Sequence, residues 1–344
     1  MATLHSNGGF GSAGANGVPH GHDNSGFNPS ANSDIVPKIL AALDVVYNPR
    51  SANQSRIEAQ SFLEQVKSLK EGPSHGFTLA SDKSQSPIVR YYGLSLLEHS
   101  IIHNWAEYDE QEAACLRGWV LELAQQASRE DPQYIRNKIA QLWVEVAKRC
   151  WGAEWMDMDQ MLVQLWQLPG FGVHKEFVLS VLGSLSEEII GGDDPIVAMR
   201  ENVLDKAVVD IFMPTSVLVE DFPNREPGAP VRFGSEGWLR RVVSLLGEAL
   251  ASDIQGNEEV RSSAVKALVL LTIILPWAFP KSVIVARTVH YLYEGLVAPH
   301  VAVQKVCAVP PAASTYQANL PRHLSKLCMH FTLGATLATS SSRP

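Results

Sequence analysis

The feature that most constrains this chain is a pair of apolar helical stripes in direct succession, from Gln133 to Trp166. Ile135, Ile139, Leu142, Trp143 and Val146 recur at helical spacing and share one face. Arg136, Lys138, Glu145 and Lys148 fall off that face and are expected in water. Asp131-Pro132 offers a capping side chain followed by a proline suited to a first turn. Gly152-Ala153-Glu154 interrupts the pattern, and a second helix is expected from about Met156. Two such helices cannot bury their stripes alone, so they demand neighbours of the same kind.

The rest of the chain supplies them. Ile39, Leu40, Leu43 and Val46 make a stripe that Asn48-Pro49 ends. A second helix is expected over Ala52–Lys70, with Ile57, Ala59, Phe62, Leu63 and Val66 inward. Glu71–Ser86, holding Gly72, Pro73 and Gly76, reads as a loop. Further helices are expected from Pro87 to near Trp105, over Gln111–Ser128, His174–Ile190 and from Ile196 to about Phe212. Four prolines make Pro214–Gly234 a long loop or insertion. Glu236–Ala251, Glu259–Leu275 and Ser282–Val297 complete the helical set.

Equivalent stripes begin at Val89, Ile135 and Val178, steps of 46 and 43 residues. That is the period of HEAT and armadillo repeats, roughly 40–47 residues. No alternating strand pattern competes. The expected fold is therefore all-α: a right-handed superhelical solenoid of HEAT-type antiparallel helix hairpins. Residues 1–33, rich in Gly, Ser and Asn without Lys or Arg, are expected to be a disordered tail. Residues 310–344 are expected to be irregular, as a disordered or non-native end, since Pro310, Pro311 and Pro321 break the pattern. A truncated chain would produce such an end.

At 46% hydrophobic and 19% charged, 344 residues can bury a sizeable core. A net charge of −8 argues against general DNA or RNA backbone binding by this segment, which needs clustered Lys and Arg. Cys115, Cys150, Cys307 and Cys328 lack CxxC spacing and read as reduced thiols, neither a disulfide frame nor a zinc site. The most apolar run, Ala267–Phe279, is short and contains Pro276, so no membrane span is expected.

Three stretches carry a family resemblance. Asn48-Pro49 followed by Arg56, Ala59 and Leu63 resembles the start of importin-β-type nuclear transport receptors, the karyopherins. The run Val89-Arg90-Tyr91-Tyr92-Gly93-Leu94-Ser95-Leu96-Leu97-Glu98-His99 resembles the second repeat of the exportin-five family, fungal members included. Tyr134-Ile135-Arg136-Asn137-Lys138, then Lys148-Arg149-Cys150-Trp151 and Trp155, resembles the third repeat, where an exportin-1-like domain begins. The likeness runs from about Asp34 to Ala308 and covers the N-terminal quarter or so of a full member. It divides the chain into N-terminal repeats over 34–128 and exportin-1-like repeats over 129–309, with an insertion at 214–234.

The resemblance implies a nuclear export receptor. Such a receptor binds Ran-GTP and cargo in the nucleus, passes nucleoporins, and releases cargo in the cytoplasm after GTP hydrolysis. It therefore shuttles between the two compartments. Cargo would be protein or RNA, such as tRNA, structured small RNA or phosphoproteins, held mostly by parts outside this chain. Ran would meet the second helix of each hairpin, expected at 52–70, 111–128 and 156–168. No enzyme activity, cofactor or metal is implied. A cytoplasmic α-solenoid scaffold without Ran dependence, or a truncated product without function, fits the bare helical pattern equally.

Gly9, Gly11 and Gly14 match GxGxxG, but no strand precedes them and no helix follows. His99 and His103 sit one helical turn apart without a third metal ligand, which suits a solvated face. Trp143, Trp151, Trp155 and Trp166 could form an aromatic pocket, but this spacing suits a core. Asp157 and Asp159 suit a helix N-terminus better than acid–base work, because nothing apolar isolates them. Glu187, Glu188, Asp193 and Asp194 form an acidic turn, open to a basic partner or to water. Arg240-Arg241 is too small for a nucleic-acid patch. Asn53-Gln54-Ser55 matches a glycosylation acceptor that a reducing compartment leaves unused.

Overall fold

The computed structural model describes residues 35–224 and 229–308, which hold helices and no strand. The expectations for 1–33 and 310–344, the GxGxxG match among them, lie outside these residues. The first pair is α1 (Ile35–Tyr47) and α2 (Asn53–Lys67), parted at Asn48-Pro49. Ile57, expected inward, stands 52% exposed on α2.

The expected loop over 71–86 instead contains α3 (Gly72–Ser81), which packs on α4 (Pro87–His103) more intimately than any other pair. The residues that signal a loop are used differently here. Pro73 sits in the first turn, where its missing N–H costs nothing. Gly76 and Gly93 let the two backbones touch: a Cβ on Gly93 would lie 2.6 Å from the Gly76 carbonyl oxygen.

The chain continues through α5 (Glu110–Gln125), α6 (Gln133–Cys150), α7 (Met158–Trp166) and α8 (Val173–Leu185), which runs on into a π-helical turn at Ser186–Ile190. Next come α9 (Pro195–Phe212), α10 (Thr215–Asp221), α11 (Trp238–Leu250) and α12 (Glu258–Ile274). The last described helices are α13 (Pro280–Val285), α14 (Thr288–Leu296) and α15 (Val301–Cys307). Ser282–Val297 is thus not one helix: Arg287 adopts a left-handed φ of 57° between α13 and α14. Asp109 and Glu112 close a reciprocal capping box at the start of α5, a local reason for that boundary.

Helices α4, α6, α8, α12 and α15 pack in succession as one row. Each takes the preceding helix of the hairpin, α3, α5, α7, α11 or α14, as its partner. This is an all-α HEAT-type solenoid. The stripes at Val89, Ile135 and Val178 are consecutive members of the row. Hairpin pairing is nevertheless out of phase with the expected one: between its neighbours in sequence α6 packs with α5 rather than with α7, and α7 packs with α8.

The stretch that departs from the row is longer than 214–234. After α8 the row resumes only at α12, while α9 leaves it to pack on the π-helical turn, α6 and α11. The proline-rich stretch itself holds α10. Its return is pinned at Gly237, whose φ of 78° and closeness to the Phe212 carbonyl leave no room for a Cβ.

One apolar core runs from Ala80 on α3 to Val303 on α15, and a smaller one joins α1 and α2 to Leu79 and Leu96. Trp143, Trp151 and Trp155 are buried in the larger core, as the core reading expects. Trp166 is half-buried, its ring edge-on to Trp238 at 5.4 Å. No described helix is long and apolar enough to cross a membrane.

Candidate partner-binding surface

The row of helices leaves one edge of α6 uncovered. Gln133, Asn137 and Gln141 occur at every fourth position, so they line up along that edge, all exposed. They form one wall of a groove of 510 Å³ across α6, α8 and α12. Gly183 on α8 keeps the floor low, with Leu270 and Ile273 of α12 beneath it. Val269, 45% exposed, forms the apolar far wall. Ser180 and Ser184 of α8 are followed by Glu187 of the π-helical turn, which is exposed at the end of the groove. The amide wall was legible in the sequence as an i, i+4, i+8 line opposite the apolar stripe of α6. Its meeting with α12 was not, because some eighty residues of chain intervene.

Three sets of ion pairs fix the angles between helices of the row. In the first, Arg90 of α4 and Lys83 donate to buried Asp131 at 2.5 and 2.6 Å, and the Ser128 N–H adds a third bond. Burial raises the Asp131 carboxyl, but the Lys83, Arg90 and Ser128 hydrogen bonds outweigh it and hold the group at about 2. Asp131 therefore does not cap α6, as its sequence position suggested. It accepts bonds from the preceding repeat.

In the second, Glu176 of α8 pairs with Arg129 at 3.2 Å and Lys266 of α12 at 3.6 Å. The third reverses two expectations. Lys148 and Glu145, expected in water, are buried. Lys148 Nζ donates to Glu145, Glu188 and Asp194, each at 2.7 Å, and Arg149 also pairs with Glu145. Burial lowers the Lys148 pKa, but the three carboxylates dominate and raise it. Glu188 and Asp194 thus answer an internal cation. Glu145, Glu188 and Asp194 bring carboxylate oxygens within 4.8 Å of one another, a spacing that suits a metal ion, but the Lys148 ammonium already bonds all three. Glu187 and Asp193 are the exposed members of the expected acidic turn.

The remaining candidates separate. Asp159 sits in the first turn of α7, as expected, but it is 1% exposed and so is isolated from water, which the sequence did not suggest. Its carboxylate accepts from the Phe233 N–H and the Trp238 indole, both at 2.6 Å, and so ties the segment leading into α11 to α7. Burial raises its pKa against those bonds. The His99 and His103 rings stand 4.6 Å apart, with His103 exposed; burial, then His103, lowers His99. Arg241 lies over the Trp238 ring at 5.0 Å. Of the helices expected to meet Ran, 52–70 is α2, 111–128 is α5 and 156–168 is α7. The hairpin phase makes only α2 a second helix; α5 and α7 come first in theirs. The second helices are α4, α6 and α8, and the last two border the groove.

Residues 132–215, from α6 to the start of α10, match the family model described as Exportin 1-like protein. Over 236 residues the chain is 36% identical to Protein MSN5 of Saccharomyces cerevisiae, covering 64% of this chain and 19% of that protein. It is 30% identical over 156 residues to Exportin-5 of Dictyostelium discoideum, covering 45% of this chain and 14% of that protein. It is 31% identical over 163 residues to Exportin-5 of Homo sapiens, covering 45% of this chain and 13% of that protein. The chain spans about a fifth or less of the length of these relatives. The stacked hairpins and these matches together make the chain similar, over these stretches, to an Exportin 1-like domain and to the fraction that it spans of proteins named Exportin-5.

Proposed function

We propose that this chain is part of a nuclear export receptor that binds Ran-GTP and carries protein or RNA cargo past nucleoporins, shuttling between nucleus and cytoplasm. The observation that carries this reading is the row α4–α6–α8–α12 in a chain similar to an Exportin 1-like domain and to Exportin-5 proteins. Residues 34–128 and 129–309 act as successive repeat blocks of one receptor. Ran contacts fall on second helices, which makes α2, α4, α6 and α8 the contact row in place of α2, α5 and α7.

A solenoid suits this task for a physical reason. Each repeat touches only its neighbours, so small changes at each joint add up to a large change in curvature. Ran and cargo then each favour the same curvature, and either one makes the other bind more tightly. The receptor needs no catalytic group of its own, because GTP hydrolysis belongs to Ran.

The test is capture of the full chain by Ran loaded with a non-hydrolysable GTP analogue, beside Ran loaded with GDP. Capture by the GTP form alone is expected, with slowed amide exchange in α4, α6 and α8. Equal capture by both forms, or none from a folded sample, overturns the reading for this segment.

A further inference from the structure

We propose that the groove between α6, α8 and α12 binds an extended peptide segment of a partner protein, one that carries an apolar residue and a lysine or arginine. The inference stands apart from Ran, which the test leaves out.

The spacing of the amide wall points to an extended chain. Four residues of helix advance about 6 Å, and two residues of an extended strand advance about 6.6 Å. Gln133, Asn137 and Gln141 therefore keep step with alternate residues of a strand laid along α6. A side-chain amide carries both a donor and an acceptor, so each can bond a peptide N–H or C=O. Gln133 and Asn137 have no hydrogen-bond partner through their side chains among the described residues, and Gln141 accepts only a long bond of 3.4 Å from Lys138.

The other walls set side-chain preference. Lys266 bonds Ser180 at 3.4 Å and Gly183 lies over Leu270 and Ile273, while Trp143 meets Phe177 and Lys148 reaches Glu188 just past α8; the three helices therefore run side by side in one direction. A strand between them turns alternate side chains toward α12, where Val269 and Ile273 offer an apolar surface. The groove has the volume of ordinary ligand sites, about 300–1,000 Å³. Its charge is asymmetric. Lys266 is engaged by Glu176, and Glu188 by Lys148, whereas the exposed Glu187 carboxylate has no ion-pair partner among the described residues. The free charge at that end is negative, and the C-terminal end of α8 adds a field of the same sign. A lysine or arginine of the peptide meets both.

The test is display selection of random dodecapeptides on the full chain, followed by anisotropy measurements with the enriched sequences. Enriched peptides are expected to combine an apolar residue with an excess of lysine and arginine. The double variant Asn137→Ala/Gln141→Ala should bind them roughly tenfold more weakly, as expected for two lost hydrogen bonds. Glu187→Gln should weaken them a few-fold, and should not weaken versions in which the basic residue is replaced by methionine. All three positions are exposed, so circular dichroism should be unchanged in the variants. Three results overturn the proposal: no enrichment, enrichment without basic residues, or equal affinity for the double variant.

Discussion

The α3–α4 crossing and the α6–α8 joint hold neighbouring helices by opposite means. At the crossing, Gly76 and Gly93 remove side chains so that backbone meets backbone, and no ion pair joins the contact face among the described residues. At the joint, large groups fill the space: Trp143 stands edge-on to Phe177 at 6.0 Å, and Lys148 is enclosed by three carboxylates. The first contact tolerates no added atom. The second tolerates no lost charge. Position along one solenoid thus decides which kind of substitution is harmful.

The largest effect is expected at the joint. Lys148→Ala leaves Glu145 buried and sets Glu188 beside Asp194 with no ammonium between them. Breaking a buried ion pair from one side costs about 3–5 kcal/mol, read as a lowered urea midpoint. Adding Glu188→Gln should recover part of that loss, because it removes one orphaned carboxylate. A neutral result for Lys148→Ala would mean that water already screens the cage.

The crossing should give a somewhat smaller effect of steric origin. Gly93→Leu places a Cβ against the Gly76 carbonyl and Ala80 backbone, which are parts of α3 and cannot rotate away. The cost is expected near the top of the about 1–3 kcal/mol range for overpacking. Unlike Lys148→Ala, it should not depend on salt or pH.

These two sites also show what the sequence could reveal. The stripes at Val89, Ile135 and Val178 are local patterns, and they correctly identified α4, α6 and α8. The hairpin phase was hidden, because a stripe records that a helix is buried without recording its partner. Gly72, Pro73 and Gly76 signal a loop locally because glycine lowers helix propensity; tertiary contact with Gly93 outweighs that preference. Lys148 reads as solvated because charge ordinarily is, and Asp131 and Asp159 read as local helix-start residues. Their partners, Asp194, Arg90 and Trp238, lie 41 to 79 residues away, beyond any local pattern.

Asp131 lies between the two extremes and supplies a pH test. Its folded pKa, about 2, is below the ordinary Asp value of about 3.9. A depressed carboxylate stabilises the fold above its unfolded pKa, and that stability is lost as pH falls through the folded value. The expected contribution is about 2 kcal/mol at neutral pH, lost between about pH 4 and pH 2. Asp131→Asn should therefore be less stable than the parent at neutral pH, with the gap closing in acid. A gap that persists at pH 2 would assign the effect to packing instead.

The smallest effect has the opposite sign and isolates the meaning of glycine in this fold. Gly118 lies on the exposed face of α5, and a Cβ added there would meet nothing within 4 Å. Its backbone is helical and makes no demand for a positive φ, so only the entropy of the unfolded chain distinguishes it from alanine. Gly118→Ala should stabilise by roughly 0.5–1 kcal/mol, measurable as a small rise in urea midpoint. Helix propensity alone predicts the same gain at Gly93. The comparison rests on the two glycines moving in opposite directions; if Gly118→Ala also destabilised, α5 would have to be carrying a contact on its open face, and the division between close crossings and open faces would fail.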